Sequence, residues 1–293
     1  AARDQRTSPA VASARISDLE RHLDTRLFNR TTRTLTPTES GRIFYEGAIR
    51  LLEAMEAAEA EVRDAANTPQ GTVFVAAPLG VGRRLIAPFV PEFHDMHPRI
   101  DIRMRLSDRG VDMAGEGLDV AFHLGRLEDS ELKVRVIAEC PRLLCAAPAY
   151  VAARGNPADG AALVRDRHAC LNLRFPGARE FRWTLMTPEG PERFQVSGPY
   201  ESDDGDVLTG WALAGRGIVM KPVFEVARHL ASGALVAVAE ATPPLAIQLS
   251  CLTPHRRLRD PKIRLFVDFM VQRCREGLSQ RMELLGKGAV FGP

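Results

Sequence analysis

The chain has 293 residues, 45% hydrophobic and 26% charged, with a net charge of +2; that length and apolar content allow two or three domains with sizeable cores. No stretch approaches the run of about 18 apolar residues that a membrane helix needs, and the start of the chain lacks the basic, apolar and small-residue succession of a secretion signal. A cytoplasmic protein with no membrane partner is expected, and five cysteines without metal-type spacing suit reduced thiols rather than a disulfide framework, a metal or a cofactor site.

The first predicted element is a short helix. Ser8 can cap its first amides, and Pro9 suits a first turn where a missing N–H removes no bond. Val11, Ile16, Leu19 and Leu23 form an apolar stripe, while Ser13, Arg15, Ser17 and Arg21 give the opposite face compact donors able to enter a major groove. From Leu27 to Thr38, the apolar anchors Leu27, Phe28 and Leu35 flank a threonine-rich loop with Arg30 and Arg33, which reads as a wing hairpin. Between Arg26 and Arg42 four arginines oppose one glutamate, a local charge of +3 within a chain of net +2, the footprint of a duplex binder. Ordinary solvated charge on a surface hairpin is the competing reading of Arg30 and Arg33.

In order along the chain, Ser8-Pro9-Ala10-Val11, Ile16, Leu19-Glu20, Arg26-Leu27-Phe28, Arg30-Thr31, Thr38-Glu39 and Gly41 together resemble the winged helix-turn-helix of LysR-type transcriptional regulators. The resemblance implies double-stranded DNA as a partner, with Ser8, Pro9, Ser13 and Arg15 toward base edges and Arg30, Thr31 and Arg33 on phosphates or in a minor groove. Two departures stand out. Ser13 is followed by Ala14 where the family often has Ser-Arg, so the arginine comes one place later. The opening Ala1-Ala2-Arg3-Asp4 resembles the family's second helix, so the DNA-binding unit, residues 1–42, is expected to be incomplete, with its first helix absent.

From Glu39 to Asn67 the apolar residues Phe44, Ala48, Leu51, Met55, Ala58 and Val62 alternate four and three apart, a heptad seam. Such a seam calls for a partner helix, and a single amphipathic helix lying on its own domain is the alternative. The family uses a linker helix here to pair two copies, which sets the spacing of two recognition helices on DNA. A dimer or tetramer through residues 39–67 is expected.

Residues 68–71 read as a hinge, after which strands alternate with helices. Strands are predicted at Val73 to Ala77, Ile100 to Leu106, Leu118 to Leu124, Leu143 to Ala147, Gly217 to Met220, Leu235 to Val238 and Ala246 to Leu252. Helices are predicted at Arg83 to His97, Val111 to Glu116, Asp204 to Ala214 and Val223 to Ser232. This alternation implies mostly parallel, doubly wound sheets, and the late strand at Ala246 implies two of them joined by two crossing strands. Gly71-Thr72-Val73, Ala77-Pro78, His97-Pro98, Asp119-Val120-Ala121, Leu144-Cys145-Ala146 and Ala214-Gly215 with Gly217-Ile218 resemble the periplasmic-binding-protein-like effector domain of the same family. The expected fold is therefore a multidomain α+β chain. A winged helix-turn-helix and long linker helix precede an effector-binding domain over 72–275, with one subdomain at about 72–140 and 246–275, the other at about 141–245, and a tail at 276–293.

Ligands of open α/β sheets bind beyond the carboxyl ends of strands. That places the candidate effector contacts at Leu79, Gly80 and Val81 after the first strand, Ser107 after the second, Leu124 after the third, and Phe175 and Asp204 from the second subdomain. The first loop offers backbone amides able to hold a carboxylate, so a small-molecule effector such as a carboxylate is expected; Asp204 reads more readily as a helix N-cap before Val207-Leu208. His94 and His97 form a surface pair rather than a metal site. Pro141, between Cys140 and Cys145, keeps a disulfide switch open as the alternative to two buried thiols. With no nucleophile, base and orienting group in an advertised arrangement, the chain reads as a ligand-responsive DNA-binding regulator and not an enzyme. The competing reading is a solute-binding or enzymatic α/β protein whose N-terminal helices oligomerise it.

Overall fold

The computed structural model describes residues 9–30, 35–65, 69–108, 113, 115–125, 127, 132–173 and 182–286, which fall into two compact units, Ala1–Asn67 and Thr68–Pro293. In the first unit α1 (Pro9–His22) is followed by the antiparallel pair β1 (Phe28–Arg30) and β2 (Leu35–Pro37), then by the long helix α2 (Glu39–Ala65). One carboxylate organises the junction of α1 and the hairpin. Glu20 Oε1 accepts from Leu27 N at 2.8 Å and from Phe28 N at 3.0 Å. Thr38 secures the hairpin to α2: its hydroxyl donates to Arg26 O at 2.7 Å and accepts from Gly41 N at 3.0 Å. Leu27 is buried beneath these bonds, and a Cβ on Gly41 would collide with its carbonyl oxygen.

The second unit opens with β3 (Gly71–Ala77). A helix expected over Arg83 to His97 is replaced by a broken succession: α3 (Leu79–Val81), a π turn at Gly82–Ile86, a 3-10 turn at Ala87–Phe89 and α4 (Val90–Met96). Pro88 and Pro91 explain the breaks, since each lacks the N–H that an α-helix interior needs and displaces the residue before it. There follow β4 (Ile100–Leu106), β5 (Val120–Leu124), β6 (Lys133–Cys140), β7 (Arg142–Ala146), α5 (Pro148–Arg154), α6 (Gly160–Arg165), β8 (Cys170–Leu173), β9 (Arg182–Thr187) and β10 (Gly190–Gln195). The chain continues through β11 (Glu201–Ser202), α7 (Gly205–Leu213), β12 (Ile218–Pro222), α8 (Val223–Ala231), β13 (Val236–Val238), β14 (Ile247–Thr253) and α9 (Pro261–Glu283). The short helix expected over Val111 to Glu116 lies mainly outside the described residues; Gly115 to Gly117 form a turn.

Two five-stranded sheets result, ordered β4-β3-β5-β14-β6 and β11-β8-β12-β7-β13. In each sheet four strands run one way and one runs against them, β14 in the first and β7 in the second, because the chain enters each sheet from the other. The crossings lie at Pro141, between β6 and β7, and in the segment between β13 and β14. Asp119 stitches β3 to β5 where their ladder begins: its carboxylate accepts from Phe74 N at 2.9 Å, its own N–H donates to Phe74 O at 2.9 Å, and Arg257 pairs with it at 3.2 Å.

The core of the first sheet contains Phe93, Phe122, Phe266 and Met270, and it also takes Phe224 from α8 of the second subdomain. In exchange, Met282 and Leu285 pack against the second subdomain's core beside Leu208 and Val226. The boundary expected at residue 275 thus falls inside α9, and residues 276–285 join the two cores. All five cysteines are free and buried. Cys140 and Cys145 belong to different sheets and different cores, and burial pushes each thiol up to about 12, so the arrangement offers no disulfide switch.

One buried histidine carries a pH signature. Tyr150 Oη accepts from Ala169 N at 2.9 Å and lies within hydrogen-bond distance of His168 Nδ1, at 3.2 Å. Burial, then Arg154, lower the His168 pKa, with Asp166 opposing. The unfolded chain therefore binds a proton more readily than the folded one. This contribution to stability is complete above the ordinary histidine pKa of about 6.5 and is lost as pH falls below it. Thermal melts between about pH 7 and pH 5 should show a steeper decline for wild type than for His168→Gln, whose amide can still hydrogen-bond to Tyr150.

Candidate functional site

A cavity of about 760 Å³ lies between the two sheets of the second unit. It is formed where β3, β4 and β5 end on one side, and by β8, β9, β12 and the start of α7 on the other. Apolar side chains supply much of its wall, among them Phe122, Leu171, Trp183, Leu208 and Met220. Its charges come in neighbouring sets. Lys221 and Glu225, both largely buried, form an ion pair, and Lys221 Nζ also donates to Gly205 O at 3.2 Å. Asp206 receives Arg83 Nη1 at 2.7 Å and Arg84 Nη2 at 2.6 Å, and Arg83 lies 3.6 Å from Asp204. These last contacts run from the π turn of the first subdomain to the beginning of α7 in the second, across the mouth of the cavity.

Of the residues singled out from sequence, Leu79, Gly80, Ser107, Leu124 and Asp204 line this cavity. Val81 does not: it is fully buried in the first subdomain's core. Phe175 lies outside the described residues. One of the amide donors expected to greet a carboxylate in the first loop is engaged, and the space over the next residue is taken. Leu79 N donates to Asp108 Oδ1 at 2.8 Å, and Gly80 is closed over by Glu225, whose carboxylate would collide with a Cβ there. Burial raises the Asp108 pKa, with the Leu79 bond opposing. Asp204 caps α7, accepting from Asp206 N at 2.7 Å, as well as facing the cavity. Sequence reasoning placed Asp108 beside Ser107 at the end of the second strand but missed Arg142, Lys221, Asp206 and Glu225; alternating polar and apolar residues in β12 and α8 carry no ligand signal until the sheets are brought together.

In the first unit Ser13 and Arg15 are exposed on α1, with Ile16 and Leu19 half-buried on another face. Pro9 opens the helix and Arg30 ends β1. Ser8, Thr31 and Arg33 lie outside the described residues. On α2, Leu51 and Met55 are 69% and 53% exposed and Phe44 is 37% exposed, beside a half-buried Ala48. Ala58 and Val62 continue along the same helix, with side chains outside the described set.

Comparison with known proteins assigns these parts. Residues 66–275 match the LysR substrate binding domain, and residues 1–42 match the bacterial regulatory helix-turn-helix protein, lysR family. The chain belongs to the LysR family. It is 33% identical over 269 residues to the HTH-type transcriptional regulator DmlR of Escherichia coli, spanning 90% of this chain and 85% of that protein. Among solved structures it resembles CrgA, a LysR-type transcriptional regulator from Neisseria meningitidis, with a TM-score of 0.64, 28% identity and coverage of 93% and 92% of the two chains. It also resembles full-length AphB, a virulence activator of Vibrio cholerae, with a TM-score of 0.65, 27% identity and coverage of 92% of each chain. This LysR regulator is thus a ligand-responsive DNA-binding transcription factor, and the reading of a solute binder with an oligomerising N-terminus is set aside.

In this regulator the Asp206 ion pairs hold the two subdomains together at the cavity mouth. Burial alone would raise the Asp206 pKa, but the hydrogen bonds from Arg84 and Arg83 outweigh it and hold the carboxyl below its ordinary value. The stabilisation is present above the ordinary aspartate pKa and lost as pH falls through the lowered one. The groups are partly exposed, so Asp206→Asn should cost only about 1 kcal/mol of stability. Its main effect should be on geometry: spin labels placed on α4 and α5 should give a broader distance distribution than in wild type.

Proposed function

We propose that the cavity between the two sheets is the effector site, that α1 and the β1–β2 hairpin read operator DNA, and that two copies pair through α2. The observation that carries the first part is the enclosure of one apolar-walled cavity by strand ends of both subdomains, so that an occupant touches both and favours one angle between them. The Ser13 and Arg15 face of α1 suits base edges, and Arg30, Thr31 and Arg33 suit the backbone or a minor groove. The acids of the cavity wall are engaged with neighbouring cations or amides, which supports a receptor and not a catalyst. Free, buried thiols and a DNA target fit the cytoplasm.

For DNA, the double substitution Arg30→Ala and Arg33→Ala should weaken binding to all duplexes alike. In a plot of log affinity against log salt, the slope should become shallower by about 0.9 for each phosphate that is no longer neutralised; an unchanged slope would remove these arginines from the interface.

The pairing rests on Leu51 and Met55, exposed apolar residues on a helix about 40 Å long. Leu51→Asp should shift the sedimentation profile from oligomer to monomer at micromolar concentration. A profile identical to wild type would place the oligomer interface elsewhere.

A further inference from the structure

We propose that the effector is a carboxylate with an apolar body and that Arg142 is its receptor. This deepens the reading of the cavity as the effector site and rests on it.

The cations at the cavity differ in how far they are already satisfied. Lys221 is committed to Glu225 and to Gly205 O. Arg83 and Arg84 are committed to Asp206. Arg182 has partners of its own. Arg142, which lines the same cavity, makes one hydrogen bond among the described residues, from Nε to Leu245 O at 2.7 Å, and no acid pairs with it there. Its pKa is lowered, and burial is the cause, with no carboxylate offsetting it. A guanidinium in this position keeps four N–H donors on its two terminal nitrogens, in the planar fork that matches the two oxygens of a carboxylate. Charge withdrawn from water without a partner is costly, so an anion reaching Arg142 recovers what burial has taken away. Charge-assisted, two-pronged bonds of this kind are among the strong ones. The neighbouring Leu171, Trp183 and Met220 favour hydrocarbon in the rest of the ligand.

The location of Arg142 links occupancy to shape. It is the first residue of β7, directly after the crossing at Pro141, and its Nε bond reaches Leu245, on the returning crossing just before β14. Pro141 O in turn accepts from Val223 N at 2.9 Å at the start of α8. A carboxylate on the terminal nitrogens therefore acts on the segment about which the subdomains turn, which a ligand held by loop amides would not.

Trp183 lines the cavity, and Trp211 is the other tryptophan of the chain. In the full-length Trp211→Phe protein, Trp183 fluorescence reports cavity occupancy. The probes are acetate, butanoate, hexanoate and phenylacetate, each titrated beside its amide, in the Trp211→Phe protein and in the same background with Arg142→Gln. The expected result is saturable quenching by the longer acids, with each acid favoured over its amide. Arg142→Gln should weaken acid binding on the order of 10- to 100-fold, the usual loss when one partner of a buried charge pair is removed, while leaving the amides unchanged. Should Arg142→Gln melt early, Arg142→Met carries the same expectation, since an apolar replacement leaves no buried polar group behind. Amides that quench as well as acids, or acids that bind the substituted protein as tightly as the parent, overturn the carboxylate assignment while leaving the cavity as the site. Absence of saturable quenching by every acid and every amide overturns both.

Discussion

The polypeptide passes between its two sheets twice, and a hydrogen bond from Arg142 Nε to Leu245 O ties the outgoing and returning passages together. Everything that lets the effector region act as two bodies depends on these passages staying narrow. Each sheet takes in one strand that arrives by a crossing and runs against its neighbours: β14 is antiparallel to β5 and β6, and β7 is antiparallel to β12 and β13. The cavity is the space such a connection leaves between strand ends. Its walls are largely apolar, but charged pairs border it: Arg83 and Arg84 of one subdomain meet Asp206 of the other, and Lys221 pairs with Glu225 within the second.

Apolar packing follows the same exchange. Phe224 from the second subdomain enters the first core, and Met282 and Leu285 at the end of α9 enter the second. Arg281 Nη2 also donates to Arg84 O at 3.1 Å, beside the ion pairs at the cavity mouth. A rotation of one subdomain against the other must therefore slide α9 as well as stretch the crossings, which limits the motion to a small set of related angles. Discrete alternatives of this kind are what a packed interface supplies in preference to continuous deformation.

Much of this was legible in the residues. The period-two pattern of Ile100 to Leu106 and the apolar run at Val73 to Ala77 announced adjacent strands, and the heptad seam announced α2. The β9–β10 hairpin was not legible because Trp183, Leu185 and Phe194 pack into a core drawn from distant strands, with polar residues between them that mimic a loop. α9 was legible but went unassigned: its buried positions Ile263, Phe266, Val267, Met270, Val271, Cys274 and Leu278 recur three and four apart, the stripe of an amphipathic helix. In the site, strand-end loops could be named from the α/β order. The ionic partners could not: Asp206 takes its arginines from the other subdomain, and Lys221 with Glu225 pair at the join of β12 and α8, where no motif marks them. The Leu79 amide, one of those assigned to a ligand, proved to be satisfied by Asp108, an outcome that sequence order leaves open because backbone donors take whichever acceptor lies nearest.

The junction of hairpin and linker helix gives glycine a mechanical part. Gly41 lies so close to the Leu27 carbonyl that any side chain would lift the start of α2 off the hairpin. Because α2 has 27 residues and spans about 40 Å, a tilt of ~10° at that fulcrum would swing its far end by about 7 Å. A methyl group's worth of bulk at position 41 is thereby magnified along a lever arm, so the direction in which α2 leaves the hairpin depends on the absence of one side chain.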